Sequence, residues 1–477
     1  MTGAQAEPTT GVRLTRGALE VRGMPIPAAP VRIVHLGLGA FARAHQAWYT
    51  ARVDDHREWG IAAFTGRSAT AAEQLAPQDG LFTVVERSAA GDDVAVVGSI
   101  VEVRDGADVG RLVELLAAPS TAVVTLTITE AGYRLRVDGA PDLEDPAVAA
   151  DLRVLAAAMA DPGARIDQAT APPVTALGRL VLGLVARSRS GAGPIAVVPC
   201  DNIPDNGPLV RRGVLALTQA VAPAAAAWIA QNVSYVSTSV DRITPRTTTA
   251  DIAEVAARTG WVDSAPVVTE PFHDWILSGS FPAGRPEWER AGARFVDDIV
   301  PFERRKLWLL NGAHSLMAYA GLARGHTTVA EAIGDGVVRA EVLGLWAEAS
   351  AHLPAELLEL DRYLADLLAR FENARIEHRL AQIAVDGVAK LRVRVVPVAL
   401  AERAGGRSAA ACADVVGAWV GLVRLGREPA DAHADAISIA NRGVDPIREL
   451  VALLSPELAD DEQFVDRVRD VAGRTME

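Results

Sequence analysis

A chain of 477 residues is too long for one ordinary hydrophobic core, so we expect two domains of different kinds. Half of the residues are hydrophobic and 22% are charged, a composition that excludes a largely disordered chain. The net charge is −13 and there is no long basic run, which argues against a nucleic-acid partner. Two cysteines, Cys200 and Cys412, are too few for a disulfide framework or a cysteine-rich zinc site.

The first 30 residues are rich in Pro, Gly and Ala, and they are predicted to form a leader of weak structure. Charged side chains from Glu7 to Arg22 interrupt this stretch, which therefore lacks the apolar centre of a signal peptide. No segment supplies the roughly 20 uncharged apolar residues that a membrane span needs. These features predict a cytoplasmic protein without a membrane partner.

A glycine-rich turn follows the first predicted strand, residues 31–36, and leads into a helix over residues 43–53. The turn has the pattern G-x-G-x-x-A. In dinucleotide-binding folds such glycines let the backbone approach the cofactor pyrophosphate, and the helix N-terminus faces it. The alternative is an ordinary strand–helix turn. Four residues of the turn are predicted to bind the cofactor: Gly37, Gly39, Ala40 and Phe41.

The next strand, near residues 59–66, lacks the acidic residue that often binds the adenosine ribose at the strand end. Arg67 and Ser68 stand there instead, and they suit either a 2′-phosphate or stacking on adenine. The sequence therefore predicts Arg67 as a cofactor-binding residue and leaves the choice between NAD and NADP open.

Two later strand ends are predicted to line the cofactor crevice. The β-branched strand at residues 121–128 leads into Thr129 and Glu130, and a strand near residues 233–239 leads into a loop that contains Asp241. Helices are predicted between the strands, over residues 145–192 and 208–231.

The strand at residues 195–199 ends in the turn Cys-Asp-Asn-Ile-Pro, which contains Asn202. An asparagine at a strand end is well placed to donate a hydrogen bond to a substrate oxygen, although asparagines are also common in turns. The chain contains only six asparagines, and two of them, Asn202 and Asn206, lie here. This concentration favours a functional role for Asn202.

Near residues 270–300 proline and aromatic residues become frequent, and we place the domain junction there. Beyond it, apolar residues recur at intervals of three and four, which predicts an almost wholly helical domain. Residues 404–407 are predicted to form a surface loop. The spacing is clearest in four stretches: residues 328–350, 355–372, 408–425 and 446–455.

These patterns predict an α/β fold in which a Rossmann-type N-terminal domain precedes a mainly α-helical C-terminal domain. The predicted division is a leader at residues 1–30, a dinucleotide-binding domain at 31–295 and a helical domain at 296–477.

One segment at the start of the helical domain carries three polar residues among apolar ones: Lys306, Asn311 and His314. On a regular α-helix they fall within an arc of about 140°, which predicts a buried helix with its polar groups on one side. Lysine is rare in this chain, since only two of the 47 basic residues are lysines. Unlike arginine, lysine loses its proton when it is desolvated, so Lys306 is a candidate proton acceptor. A snorkelling lysine at a helix end is the alternative.

Three motifs together resemble the mannitol dehydrogenase family of polyol-specific dehydrogenases. They are G-x-G-x-F-x-R-A-H-Q from Gly37, C-D-N-I-P from Cys200, and the spacing Lys306-x4-Asn311-x2-His314. The family includes mannitol 2-dehydrogenase, D-arabinitol dehydrogenase and fructuronate reductase. The resemblance implies an active site between a Rossmann-type domain and a helical domain, and hydride transfer without a metal.

By this resemblance Lys306 is the general base for alcohol oxidation and the acid for ketone reduction. Asn202 and Asn311 donate to the oxygen at the reacting carbon, and His314 orients the substrate and the lysine. Glu303, about one helical turn before Lys306, exchanges protons with it; a plain ion pair is the alternative.

The choice of substrate is predicted to depend on residues 371–390. A His-Arg pair followed by Q-I-A-x-D-G and a lysine is most similar to the fructuronate reductase branch of the family, and a cation there suits a uronate carboxylate. Val388 and residues 391–394 depart from that branch, so mannitol or another neutral polyol such as arabinitol remains an alternative substrate. In that case Arg379 braces the helical domain and does not bind the substrate. The predicted substrate-binding residues are Arg375, His378, Arg379 and Lys390.

The sequence thus predicts a dehydrogenase that uses NAD, or NADP, on a sugar alcohol, aldonate, ketose or keto-uronate, as a monomer or small homo-oligomer. A zinc-dependent polyol dehydrogenase is the alternative with the same chemistry. Such an enzyme needs a cluster of Cys, His and Glu ligands, whereas the histidines of this chain are scattered and its cysteines are few. A non-catalytic cofactor-sensing protein is the rival from another class. It has no need of a lysine, two asparagines and a histidine in one cleft.

Overall fold

The computed structural model describes residues 11–136, 138–160, 172–427 and 429–476. The chain forms two compact units. The first contains the described residues up to Ile299 except residues 88–90, and the second contains residues from Val300 onward together with those three.

A six-stranded parallel sheet is the centre of the first unit. Its strands are β1 (Val31–Leu36), β2 (Gly60–Phe64), β3 (Ile100–Arg104), β4 (Val123–Leu126), β5 (Ile195–Pro199) and β6 (Val233–Tyr235). Their spatial order is β3-β2-β1-β4-β5-β6, and every neighbouring pair is parallel. This is the order of the dinucleotide-binding fold, in which ligands bind where the strand order reverses, beside the carboxyl ends of the strands.

The sheet is buried on both faces, because its short strands are almost continuously apolar. Successive residues of a strand point to opposite sides: Val34 lies in one hydrophobic core and Ile33 in the other. The predicted α/β class with a Rossmann-type N-terminal domain is confirmed.

Helices and smaller sheets complete the first unit. Residues 161–171, part of the predicted helical stretch 145–192, lie outside the described residues. The helices are Arg16–Val21, Ala40–Ala42 continuing through Arg43–Ala47 to Trp48–Val53, Thr70–Leu75, Val109–Ala117, Pro146–Met159, Ala176–Ser190, Asn206–Val221, Pro223–Asn232 and Thr249–Thr259. The strands outside the main sheet are Val12–Arg13, Phe82–Ser88, Gly91–Val97, Ser237–Asp241, Trp261–Val262, Val267–Thr269, Asp274–Ser278 and Arg294–Phe295.

The described part of the predicted leader, residues 11–30, is better ordered than its composition indicated. Val12–Arg13 pairs in parallel with Trp261–Val262, and Thr15 caps the helix that follows. Leu14 and Leu19 are buried in a small core with Leu81 and Trp261. The prediction of weak structure is therefore wrong for residues 11–21, because the strand partner lies about 250 residues away in sequence and leaves no local signal. Residues 24–30 form no helix or strand, as predicted.

The second unit is mainly helical, as predicted. Residues 404–407 enter the loop that separates two of its helices, also as predicted. The helices are Val300–Arg305 continuing through Lys306–Asn311 to Gly312–Ala323, Val329–Gly334, Gly336–Ser350, Ala355–Leu358, Leu360–Phe371, Leu380–Ile383, Gly387–Arg394, Val396–Ala404, Ala410–Arg424, Ala434–Ala440, Pro446–Leu454, Pro456–Ala459 and Glu462–Met476. Across the described ranges, no helix is both long and apolar enough to span a membrane.

Candidate active site

The glycine turn after β1 requires glycine at its first position. Gly37 has a φ of +102°, a region that other residues rarely adopt. A Cβ atom on Gly37 would lie 2.2 Å from the backbone oxygen of Thr127, which follows the neighbouring strand β4. Gly39 is different: its φ is −139°, and the nearest atom to a Cβ there is the Gly37 oxygen at 3.7 Å. The turn is therefore tight at Gly37 and open at Gly39.

The helix that starts at Ala40 fits the pyrophosphate of a dinucleotide. Gly39 precedes the helix and supplies no side-chain hydrogen bond to its first amides. Uncapped amides and the positive end of the helix dipole favour an anion at this position. The helix continues through a wider π-type turn at Arg43–Ala47, and Phe41 stacks on His45 with ring centroids 4.9 Å apart.

His35 lies beneath this turn and holds it. Its Nδ1 is 2.8 Å from the hydroxyl of Thr125, and its Nε2 is 3.1 Å from the hydroxyl of Thr127. Thr127 in turn donates a 2.8 Å hydrogen bond to the Gly37 carbonyl, so Thr127 accepts from a protonated Nε2. Burial lowers the pKa of His35 to about 4, which keeps the ring neutral. We did not predict His35 or Thr127 from the sequence, although both lie at strand ends.

The other predicted cofactor residues occupy different positions. Arg67 is exposed beyond the end of β2, and Thr129 and Glu130 are exposed after β4. These lie on the neighbours of β1, at the same edge of the sheet as the glycine turn. Asp241 is half-buried at the end of Ser237–Asp241, which belongs to a separate sheet and pairs with Asp274–Ser278.

Asn202 is exposed just beyond the end of β5. Its neighbour Asn206 is fully buried and holds the loop to an adjacent strand. The Asn206 amide donates to the backbone oxygen of Thr238 at 3.0 Å and accepts from the Thr238 amide at 2.9 Å. Of the two asparagines here, Asn206 is structural, whereas Asn202 lies at the surface.

The segment with Lys306, Asn311 and His314 is helical, but it is not a regular α-helix. Lys306–Asn311 forms a π-type turn in which the Gly312 amide donates to the Leu307 carbonyl, five residues earlier. The prediction of regular α-helical spacing is wrong here. In a π-type turn, residues five apart are closer together around the helix axis than on an α-helix, where they are about 140° apart.

This change of spacing matters for the polar side chains. Lys306 and Asn311 are five residues apart, so the π-type spacing favours the same side of the helix for both. His314 is three residues beyond Asn311, on the α-helical part Gly312–Ala323, where that spacing also keeps one face. Lys306 and Asn311 are half-buried and His314 is buried. Glu303, half-buried, lies one turn before Lys306.

Two distant side chains bind carbonyl groups of the π-type turn. The buried Trp346 donates from Nε1 to the Leu309 oxygen at 2.9 Å. Arg394 donates from Nη1 to the Asn311 oxygen at 3.2 Å and to the Ser315 hydroxyl at 3.1 Å. We did not predict either residue, because nothing in the local sequence connects it with the turn.

His314 is only 7% exposed, and its Nε2 has no hydrogen-bond partner among the described residues. Its ring contacts Phe371 and the edge of His378, with centroids 5.1 and 4.9 Å away. Burial lowers its pKa well below 6.5, and the charges of His378, Arg370, Arg394 and Lys306 add to this effect. His314 is therefore a neutral imidazole with one nitrogen available for a ligand.

The four predicted substrate-binding residues are not brought together as a group. His378 is half-buried and packs against His314. Arg375 is exposed, and the exposed Arg379 pairs with Glu377. The ammonium group of Lys390 donates to the backbone oxygen of Ile383 at 2.9 Å.

Lys390 is also less strongly basic than an ordinary lysine. Burial lowers its pKa, and so does the charge of Arg394, while two nearby aspartates oppose the shift. As for metal sites, no three His, Cys, Asp or Glu side chains in the described part of the chain are grouped so that they could hold an ion.

Comparisons with known proteins identify the family of both parts of the chain. Residues 31–290 match the family described as mannitol dehydrogenase Rossmann domain, and residues 298–470 match mannitol dehydrogenase C-terminal domain. A D-mannonate oxidoreductase of Escherichia coli (strain K12) is 36% identical over 463 residues, 92% of this chain and 91% of that protein.

Two further relatives act on, or were solved with, a neutral polyol. A mannitol 2-dehydrogenase of Phaeosphaeria nodorum is 32% identical over 92% of this chain and 78% of that protein. The structure of Pseudomonas fluorescens mannitol 2-dehydrogenase with NAD and D-mannitol has a TM-score of 0.78 and 29% identity. That similarity covers 98% of this chain and 96% of the other.

Proposed function

The chain belongs to the mannitol dehydrogenase family, and we propose that it interconverts D-mannonate and D-fructuronate with NAD(H) as its preferred cofactor. At the coarser level it is an NAD(P)-dependent polyol or aldonate dehydrogenase. The observation that carries the proposal is the π-type turn at Lys306–Asn311, whose spacing favours one side of the helix for Lys306, Asn311 and His314.

The proposed chemistry is the oxidation of a secondary alcohol to a ketone. Lys306, as a neutral amine, removes the hydroxyl proton, and in the reverse direction its ammonium form returns that proton to the ketone oxygen. When bound, the nicotinamide ring accepts the hydride in oxidation and supplies it in reduction. The glycine turn with Gly37 and Gly39 binds the pyrophosphate through the helix N-terminus.

A polar group of the same segment holds the reacting oxygen. The side-chain amide of Asn311 donates to it and stabilises the negative charge that develops there. His314 is neutral, so its unpartnered Nε2 can form a hydrogen bond with a substrate hydroxyl. Glu303, one turn before Lys306, passes the proton between the lysine and solvent.

Two observations support a substrate with a carboxylate. The His-Arg pair at His378 and the motif Q-I-A-x-D-G from Gln382 are similar to the fructuronate reductase branch, and a relative of 36% identity is a D-mannonate oxidoreductase. The second candidate is mannitol and fructose. It is favoured by Val388, which departs from that branch, and by the likeness to mannitol 2-dehydrogenases.

A substrate panel tests the proposal. Fructuronate, tagaturonate, fructose, mannitol and arabinitol are each assayed with NAD(H) and NADP(H). We expect the highest kcat/KM for fructuronate with NADH. A higher kcat/KM for fructose would contradict the substrate and support the second candidate, whereas cofactor binding without any turnover would contradict the enzymatic function itself.

A further inference from the structure

Arg394 lies beside the face that carries Lys306, Asn311 and His314. It is half-buried at the end of the helix Gly387–Arg394, and its Nη1 binds both the Asn311 carbonyl and the Ser315 hydroxyl. Asn311 and Ser315 are one α-helical turn apart, so the guanidinium spans that turn. Its charge also lowers the pKa of His314, which independently places it near the imidazole.

The rest of this guanidinium is available to a ligand. Within the described ranges, the Nε and Nη2 atoms of Arg394 form no hydrogen bond. Neither atom is among the fully buried polar atoms without a partner, so both are in contact with solvent. No carboxylate within those ranges pairs with Arg394, and Tyr319, a phenol, is the group that opposes the effect of burial on its pKa. Burial lowers its pKa to about 10, so Arg394 remains charged at neutral pH. A partly desolvated charge without a counter-ion favours an anionic ligand.

Three other cations of the second unit are already engaged. Lys390 uses its ammonium group to bind the Ile383 carbonyl, and Arg379 is exposed and paired with Glu377. Arg392, two residues before Arg394, is exposed and binds the Leu453 carbonyl. Arg394 is thus the best candidate among these four for binding a carboxylate.

We propose that Arg394 determines specificity for a substrate with a carboxylate, which it binds through the free edge formed by Nε and Nη2. This proposal rests on the proposed function and names the residue that carries its substrate preference. The planar edge of a guanidinium forms two parallel hydrogen bonds with a carboxylate, a geometry that neither lysine nor a polyol hydroxyl reproduces.

The test compares an anionic substrate with a neutral one in four proteins: wild type, Arg394→Gln, Arg394→Lys and the control Arg392→Gln. In Arg394→Gln we expect kcat/KM for fructuronate to fall about tenfold to a hundredfold more than kcat/KM for fructose. Arg394→Lys should recover part of the loss, and Arg392→Gln should leave the ratio unchanged. The neutral substrate controls for folding, because a misfolded variant loses activity on both substrates.

Titration calorimetry with D-mannonate and with D-mannitol, in the presence of cofactor, distinguishes the proposed function from the proposed role of Arg394. Wild type should bind mannonate more tightly than mannitol, and Arg394→Gln should lose that difference. An equal loss on both substrates in Arg394→Gln would reduce Arg394 to a brace for the π-type turn and overturn the inference. So would a wild type that binds mannonate no better than mannitol. If mannonate binds selectively through Arg394 but nothing is turned over, the proposed function fails and this inference stands.

Discussion

The two units each place a π-type turn in the helix that carries their candidate functional residues, and they use it differently. In the first unit the turn at Arg43–Ala47 follows a helix N-terminus whose backbone amides are the proposed binding groups. In the second unit the turn at Lys306–Asn311 sets the direction of side chains. Binding through backbone amides depends on which residues can adopt the backbone conformation of the turn. Binding through side chains depends on the helical spacing between the residues that carry them.

This difference determines how each region responds to substitution. The glycine turn is limited by steric contact with β4, so small changes there affect folding first. The lysine segment is held by distant partners such as Trp346 and Arg394, so changes there can alter reactivity while the fold remains.

The largest expected effect is that of Gly37→Ala. The new Cβ would lie 2.2 Å from the Thr127 backbone oxygen, and the φ of +102° is unfavourable for alanine. We expect the free energy of unfolding to fall by about 3 kcal/mol or more, measured by urea denaturation.

Gly39→Ala is the matched control for that variant. Its Cβ has no contact closer than 3.7 Å and its φ is extended, so stability should change little. The added methyl group lies near the open helix N-terminus and should weaken cofactor binding, measured by calorimetry. Equal stability losses in the two variants would show that the close contact at Gly37 is not what limits this turn.

The next effect is a loss of folding stability at acid pH. His35 has a folded pKa of about 4, below the 6.5 of an unfolded histidine, so the unfolded chain binds more protons between these values. Its contribution to stability is complete above pH 6.5 and is lost as the pH falls toward 4. Between pH 7.5 and pH 5 wild type should lose about 2 kcal/mol that His35→Gln does not lose. Parallel pH curves for the two proteins would contradict a neutral, buried His35.

A smaller effect is expected from Trp346→Phe. The substitution removes the Nε1 donor and leaves the Leu309 carbonyl of the π-type turn without this partner. Trp275→Phe is the control, because the buried Trp275 Nε1 has no hydrogen-bond partner in the described part of the chain. Scanning calorimetry should show about 1 kcal/mol more destabilisation in Trp346→Phe than in the control. No difference would mean that the turn does not need this hydrogen bond.

The smallest effect is a change of cofactor ratio in Arg67→Ala. Arg67 is exposed beyond the end of β2, and residues 65–68, which follow this strand, include no acidic residue. Its removal should lower kcat/KM with NADP(H) more than with NAD(H). If the ratio between the cofactors stays the same, Arg67 does not contact the 2′ position.

The sequence was sufficient for features that depend on local rules. The parallel sheet follows from short apolar strands, and the tight turn at Gly37 follows from the conformational freedom of glycine. The presence of Lys306, Asn311 and His314 on one helical segment was also predicted correctly.

Other features depend on partners that are distant in sequence. The π-type turn could not be predicted from the segment itself, since Trp346 and Arg394 bind it from other helices. The order of residues 11–21 depends on Trp261–Val262, and the use of Lys390 depends on the Ile383 carbonyl. In each case the pairing exists only after the chain has folded.

Proton transfer by Lys306 is tested by the pH dependence of the reaction in wild type, Lys306→Arg and Lys306→Ala. Oxidation needs the neutral amine and reduction needs the ammonium form. In wild type the oxidation rate should therefore rise with pH to a plateau while the reduction rate falls. His314 cannot produce a rise above neutral pH, because its pKa lies well below 6.5.

Lys306→Arg keeps the positive charge but cannot act as a base near neutral pH. We predict that it raises the oxidation barrier nearly as much as Lys306→Ala, by several kcal/mol where about 1.4 kcal/mol is tenfold in rate. Small primary amines should restore part of the rate in Lys306→Ala and none in Lys306→Arg. A Lys306→Arg variant that retained most of the activity with the wild-type pH profile would contradict the account and assign the base to another residue.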